Sequence, residues 1–313
     1  MDFTEATPME RMAYYRDEWD PNGIPEFIAN TIRSREFAFD HDGTGYKDRY
    51  NAFDTTRGLA LRIKSLNPYA VCASTAYYDI PEKREGWQKA ELVFDIDAKD
   101  QPVRSCSCEQ GTICEQCLEE SKELAMAIID TLRGDFGLKE VYMAYSGRGY
   151  HIHVLDEGAQ MLENRAHILD YVMGSVMPKD FQMHGGYAGT WRKMMDLTLS
   201  KVRESDLSFL SKNVAKSVME HKQTIRKNLA NRVDNFLTVP GVGKASQEKL
   251  LEELMRFSSQ TVDGKVTIDN KRILRMPSTL HSKISMICTL VKNPETFDPL
   301  DDAVPKFVEE RST

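Results

Sequence analysis

Two aspartates, Asp95 and Asp97, close the run Leu92-Val93-Phe94-Asp95-Ile96-Asp97. The run alternates with period two, so it reads as a β-strand whose carboxylates leave from one face while Phe94 and Ile96 pack on the other. Adjacent anions repel each other, and a hard divalent cation such as Mg²⁺, bound through oxygen, is the natural counter-charge. A solvated strand end is the plainer alternative; the apolar residues before the pair weigh against it by fixing the strand in a core. A two-metal site calls for a third acid from elsewhere. Asp263, before Gly264, and Asp269, before Asn270, are candidates. Either also serves as an ordinary turn residue, and residue chemistry alone does not choose between them.

The cysteines give the most specific local signal. Four of the 6 fall in Cys106-x-Cys108, five further residues, then Cys114-x-x-Cys117, while Cys72 and Cys288 stand alone. That is a poor disulfide framework and a good metal site in a reducing cell. Four soft thiolates suit tetrahedral Zn²⁺ and leave no open position for water, so the ion would be structural. It would order a loop, 104–118, that has too little apolar surface to order itself.

Two further motifs carry cations. In Ser146-Gly147-Arg148-Gly149-Tyr150-His151 the glycines let backbone approach a ligand. Arg148 offers a planar fork for phosphate oxygens, and Ser146 and His151 add donors. A plain glycine hairpin with one exposed arginine is the alternative. Arg275-Met276-Pro277-Ser278-Thr279-Leu280-His281-Ser282-Lys283 would put His281 and Lys283 on one face if extended, a cluster suited to a triphosphate; an ordinary polar loop is the alternative. Pro240-Gly241-Val242-Gly243-Lys244-Ala245 is similar to a helix-hairpin-helix clamp on a DNA backbone, although a simple turn between helices explains it as well.

These motifs need elements to hold them. The pattern predicts a mostly helical stretch from Ala6 to Phe37, short strands at 35–39 and 74–78, and the Asp95/Asp97 strand. A helix from Leu118 to Arg133 follows, then strands at Val141–Tyr145 and Tyr150–Leu155, the last with His151 and His153 on one face. Strand, helix, strand, turn, strand is an α/β core with a mixed sheet. From Glu163 to Ser258 lysine, glutamate and leucine recur at helical spacing, which predicts an inserted helical subdomain. Strands are then expected at Lys265–Ile268, Arg272–Arg275 and Ile284–Val291, and an irregular proline-containing tail after Asn293. The domain reading is a discontinuous core of 1–160 and 259–313 with the helical subdomain at 161–258.

A chain of 313 residues with 41% hydrophobic and 9% aromatic content suits a globular protein with a real core. The net charge of −7 rules out an overall basic nucleic-acid binder but not a local basic groove. There is no signal pattern and no apolar run of membrane-spanning length, so a cytoplasmic protein without membrane contact is expected.

The order of the pieces is distinctive. An acidic pair on a strand, a zinc loop, Ser-Gly-Arg-Gly-x-His between two strands, then a late acid and Arg-x-Pro-x-x-Leu-His-x-Lys resembles the catalytic small subunit of archaeal and eukaryotic DNA primase. The resemblance extends to Tyr14-Tyr15, Arg35-Glu36-Phe37 and Ser74-Thr75-Ala76-Tyr77-Tyr78. It covers most of the chain outside the helical middle, and the compact length is more like the archaeal members. It implies that Asp95, Asp97 and Asp263 hold two Mg²⁺ or Mn²⁺ ions, the spacing to the later histidine selecting Asp263 over Asp269. It further implies that Ser146, Arg148, His151, His281 and Lys283 hold the nucleotide phosphates. Cys106, Cys108, Cys114 and Cys117 match the family's zinc knob, where one ligand is often histidine. Two departures bear on phosphate contacts: the serine-to-histidine turn is one residue shorter than is common, and Ile284-Ser285 stands where many relatives carry Thr-Gly.

The implied activity is template-directed synthesis of short RNA or DNA primers on single-stranded DNA from NTPs or dNTPs, with a primase large subunit as partner. A primase-like polymerase that extends primers or repairs breaks is an alternative, as is a non-catalytic zinc module that binds nucleic acid. Glycosyltransferases also use Asp-x-Asp, but the zinc loop and the His-x-Lys segment have no place in that chemistry.

Overall fold

The computed structural model describes residues 4–109 and 111–311; residues 1–3, 110 and 312–313 lie outside that description. The chain divides into two units. The first is Met1–Asp95, Glu140–Glu163 and Lys265–Thr313; the second is Ile96–Lys139 and Asn164–Gly264. The helical stretch after Asn164 is therefore joined in the second unit by 96–139, which carries the cysteine loop and a long helix.

In chain order the strands are β1 (Phe37–Asp40), β2 (Asp48–Asn51), β3 (Ala70–Ser74), β4 (Ala76–Ile80), β5 (Glu85–Ala90), β6 (Leu92–Asp97), β7 (Val141–Tyr145), β8 (Gly149–Val154), β9 (Ile273–Arg275) and β10 (Thr289–Val291). They form a sheet ordered β2-β1-β3-β9, a second ordered β10-β7-β8-β6, and a β4-β5 ribbon. β7 and β8 are an antiparallel hairpin in register from Val141↔Val154 to Tyr145↔Tyr150. Every residue of β1, β3 and β8 is buried, as expected of strands covered on both faces. β6 alternates at its end, with Phe94 and Ile96 buried and Asp95 and Asp97 half-exposed.

Several sequence expectations change in the fold. The stretch from Ala6 to Phe37 is mostly helical, as expected, but not as one helix. It breaks into an α-helix Pro8–Ala13, a π-helical turn Tyr14–Glu18, and short turns at Pro21–Gly23, Glu26–Ala29 and Ile32–Ser34. Pro21 and Pro25 have no N–H to continue a helix. Gly264–Ile268 is a helix rather than a strand, closed by the bond from Asp269 N to Lys265 O. Its Val266 packs on Val93 and Leu274, and one helical turn reaches that pair where an alternating strand was expected. Of the segment Ile284–Val291 only Thr289–Val291 is strand. The tail, expected to be irregular, holds helices Pro299–Asp302 and Lys306–Glu310. Prolines open these helices, where a missing N–H costs nothing, and Phe307 and Val308 join the core beside Tyr15 and Ile63.

The second unit is held by the helix Glu115–Gly134 and the helices Gly186–Lys201 and Lys244–Ser259. Trp191 is fully buried against Phe181 and Phe236 at ring distances of 5.7 and 6.2 Å. No helix among the described residues is long and apolar enough to cross a membrane.

Candidate active site and metal centre

In the first unit the β7–β8 hairpin turns at Ser146–Gly149, closed by Ser146 N donating to Gly149 O at 2.9 Å. Gly147 has φ +100, and a Cβ there would sit 2.5 Å from the His281 Cβ. Only glycine permits this approach, so the turn and His281 pack directly together, although the sequence holds them far apart. His281 Nδ1 accepts from Lys283 N at 3.0 Å, which leaves the proton of a neutral ring on Nε2 as a donor. Burial, then Arg275, Arg148, His151 and Lys283, push the His281 ring well below its ordinary value.

His151, on the inner face of β8, lies with Nε2 3.4 Å from Asp95 Oδ1. Burial, followed by His153 and Arg275, holds it neutral at pH 7. One strand-end carboxylate thus faces a histidine that lies near Arg275. Lys283 departs from the extended geometry: residues 282–284 form a turn between the bridged residues Leu280 and Ile287. Lys283 Nζ reaches Gly43 O at 2.7 Å and Glu5 at 3.3 Å, so it does not share a strand face with His281. Arg148 is half-buried in its turn.

Some residues at this site had no assigned role in the sequence reading. Arg275 donates to Ser146 O at 3.1 Å and to the Tyr46 hydroxyl at 2.9 Å, tying β9 to the hairpin turn. It stood at the head of the His281 motif, which was the available signal. Beneath β8, Glu91 is buried between Arg35 at 2.5 Å and His153 at 2.7 Å. The alternation of His151 and His153 placed both on one face, but nothing local pointed to Glu91.

In the second unit Asp97 accepts from Lys99 N at 3.1 Å. Gln101 Nε2 donates both to Asp97 O at 3.1 Å and to Thr261 O at 2.9 Å, joining the Asp97 segment to the one that ends at exposed Asp263. Asp269 is engaged in its own turn, accepting from Lys271 N at 2.9 Å and pairing with Arg272 at 3.3 Å. Pro240–Lys244 forms a turn leading into the helix Lys244–Ser259, with Gly241 at φ +74.

The four cysteines converge: their sulfurs all lie within 4.8 Å of one another. Cys106 and Cys117 are 3.2 Å apart and Cys114 and Cys117 3.7 Å. These are too long for S–S bonds and close to the roughly 3.8 Å edge that a tetrahedron of 2.3 Å Zn–S bonds requires. The cluster could bind a metal such as zinc. Cys114 caps the helix Glu115–Gly134 and Cys117 lies in its first turn. Arg104 braces the loop through Thr112 O at 2.9 Å and Glu109 O at 3.2 Å, and Arg203 donates to Cys106 O at 2.6 Å. The cysteine spacing gave no sign of either arginine.

The family model for the DNA primase small subunit matches residues 94–292, a span that contains the acidic strand end, the cysteine loop, the hairpin turn and His281. The chain belongs to the DNA primase small subunit family. It is 42% identical to the DNA primase small subunit PriS of Methanothermobacter thermautotrophicus, covering 99% of this chain and 98% of that protein. It is 41% identical to PriS of Methanobrevibacter smithii, over 99% of each. The PriS of Pyrococcus furiosus is 40% identical over 97% of this chain and 93% of its own length. As a family member the chain shares its relatives' full span, including the helical middle that the sequence resemblance left out.

Proposed function

We propose that this chain is the catalytic subunit of a DNA primase, joining nucleotides into short primers on single-stranded DNA. The observation that carries the reading is the packing of the Gly147 turn onto His281 beside Asp95, His151 and Arg275. That arrangement sets an acidic strand end against donors suited to a triphosphate.

The donors in this reading fit the ions the chemistry calls for. Asp95, Asp97 and Asp263 are hard oxygen ligands for Mg²⁺ or Mn²⁺. When bound, such ions supply activation of the attacking hydroxyl and neutralisation of triphosphate charge. The protein's own contribution is positioning and electrostatics. His281 donates through Nε2 to a phosphate oxygen, and Arg148 offers its planar fork. Ser146 is fixed by Arg275 at its carbonyl, so the turn meets the nucleotide already in place. His151 turns Nε2 to Asp95 and so orients that carboxylate at the strand end. The cysteine loop holds Zn²⁺ structurally, its four thiolates leaving no open position for water. Single-stranded template and a larger primase subunit complete the assembly, and binding to template weakens as salt rises.

The test is de novo synthesis on single-stranded DNA with labelled ribo- and deoxyribonucleotides, with and without Mn²⁺ and with and without a primer. Product without a primer is expected; activity only on a primer would make the chain an extending polymerase. Within that assay Asp263→Asn should be far more damaging than Asp269→Asn, and the reverse order would show that the later acid is the ligand.

A further inference from the structure

The loop that carries His281 is held in an unfavourable backbone shape. Six non-glycine residues among those described have left-handed φ, and two of them, Ser278 at +77 and Ser285 at +55, lie in the segment Met276–Cys288. Such conformations persist only where surrounding contacts enforce them. Here the N-terminal segment supplies those contacts. Tyr14 donates its hydroxyl to Ser278 O at 2.9 Å, and Trp19 Nε1 donates to Ser278 Oγ at 3.1 Å. Tyr15 accepts from Leu280 N at 3.3 Å, and Ser285 Oγ donates to Thr4 O.

The three aromatic side chains could not act together on an ordinary helix. Tyr14–Glu18 is a π-helical turn, closed by Trp19 N donating to Tyr14 O at 2.7 Å. The wider turn brings positions i, i+1 and i+5 onto one face, so Tyr14, Tyr15 and Trp19 are all buried toward the loop. Single π-turns of this kind occur frequently at functional sites. The rings also pack edge-on, Tyr14 on Tyr15 at 5.1 Å and Tyr15 on Trp19 at 5.9 Å, so the three form one contiguous cluster.

We propose that Tyr14, Tyr15 and Trp19 are positioning residues for the nucleotide site: the π-turn locks Ser278 and Leu280, and through them sets His281 against the Gly147 turn. The claim rests on the reading of His281 as a phosphate ligand. It assigns a role to the N-terminal segment, which lies outside residues 94–292. In this assignment the three act through the loop and are not themselves nucleotide ligands.

Steady-state primer synthesis and hydrogen exchange test this together. Tyr14→Phe removes one donor with little change of shape, while Trp19→Phe removes one donor and part of a buried ring. Each should raise the nucleotide KM about three- to tenfold, the size of one lost hydrogen bond, with kcat at saturating nucleotide near wild type. Ser278→Gly removes the Trp19 acceptor and relaxes the strained φ, so Trp19→Phe should add nothing in a Ser278→Gly background. Amide exchange across Met276–Cys288 should speed up in Trp19→Phe. The proposal is overturned by unchanged exchange in that loop, by an unchanged KM where His281→Ala raises it, or by a Trp19→Phe effect that persists undiminished with Ser278→Gly. An unchanged KM in His281→Ala combined with faster loop exchange would instead overturn the phosphate role of His281, and with it the kinetic half of the claim.

Discussion

The cysteine loop gathers its ligands from the short stretch between Cys106 and Cys117, whereas the His281 pocket draws Asp95, Ser146, His151 and Arg275 from three separate parts of the chain. The loop is short of apolar contacts and is braced by Arg104 and Arg203 on its carbonyls. The pocket stands on buried strands and a glycine that touches its partner. A ligand set that is local in sequence can leave its order to a metal. One assembled over long distances must be built by packing before the ligand arrives, because each distant contact carries its own loop-closure cost.

Four experiments would break or sharpen that contrast. The largest effect belongs to the acids. Asp95→Ala or Asp97→Ala should reduce primer synthesis to background while circular dichroism and the thermal midpoint stay near wild type. Full activity in either variant would remove the proposed ligands. Next comes the metal loop. Cys117→Ser, or a strong chelator, should take zinc from about one per chain to none and open 104–118 to protease. Nucleotide binding at the pocket should survive, and its loss would show that the two regions are not independent.

Two glycines then compare the regions directly. Gly147→Ala drives a Cβ into His281 and should raise the nucleotide KM about tenfold or more, the usual scale of overpacking. Gly111 also has positive φ, +88, but nothing lies within 4 Å of its Cβ position, so Gly111→Ala should cost the loop only about 1 kcal/mol. Equal effects would erase the distinction. An effect that vanishes at low pH concerns the buried support under β8. Burial raises the Glu91 carboxyl, but Arg35 and then His153 pull it further down, from 4.5 to about 2. A depressed carboxylate contributes stability that is complete above its unfolded value and is lost as pH falls through the folded one. Glu91→Gln should therefore cost about 3 kcal/mol near pH 7, the scale of a broken buried pair. Denaturant titrations should show the gap to wild type closing between about pH 4.5 and 2. A gap independent of pH would mean that Glu91 acts through packing alone.

Much of the scaffold was readable from periodicity. β6, β7 and β8 and the helix ending at Gly134 lie within a residue or a few of where alternation and helical spacing put them. The misses share a cause. Lys265–Ile268 alternates like a strand, but a hydrophobic contact with Val93 and Leu274 is met by one helical turn. Ile284 suits a strand, but Ser285 beside it has left-handed φ and is bonded to Thr4 O. In each case a distant neighbour overrides a weak local preference.

By itself the sequence determined the chemistry on offer: carboxylates paired at a strand end, four thiols spaced for one ion, and cations on a glycine turn. Those follow from residue type and from periods of two and 3.6, which are local properties. Only the tertiary structure decided that Gly147 meets His281, that Arg275 holds Ser146, and that Lys283 turns to Gly43 instead of standing beside His281. These depend on contacts between segments brought together by burial of the core, and short-range patterns carry no record of which distant partner each segment will find.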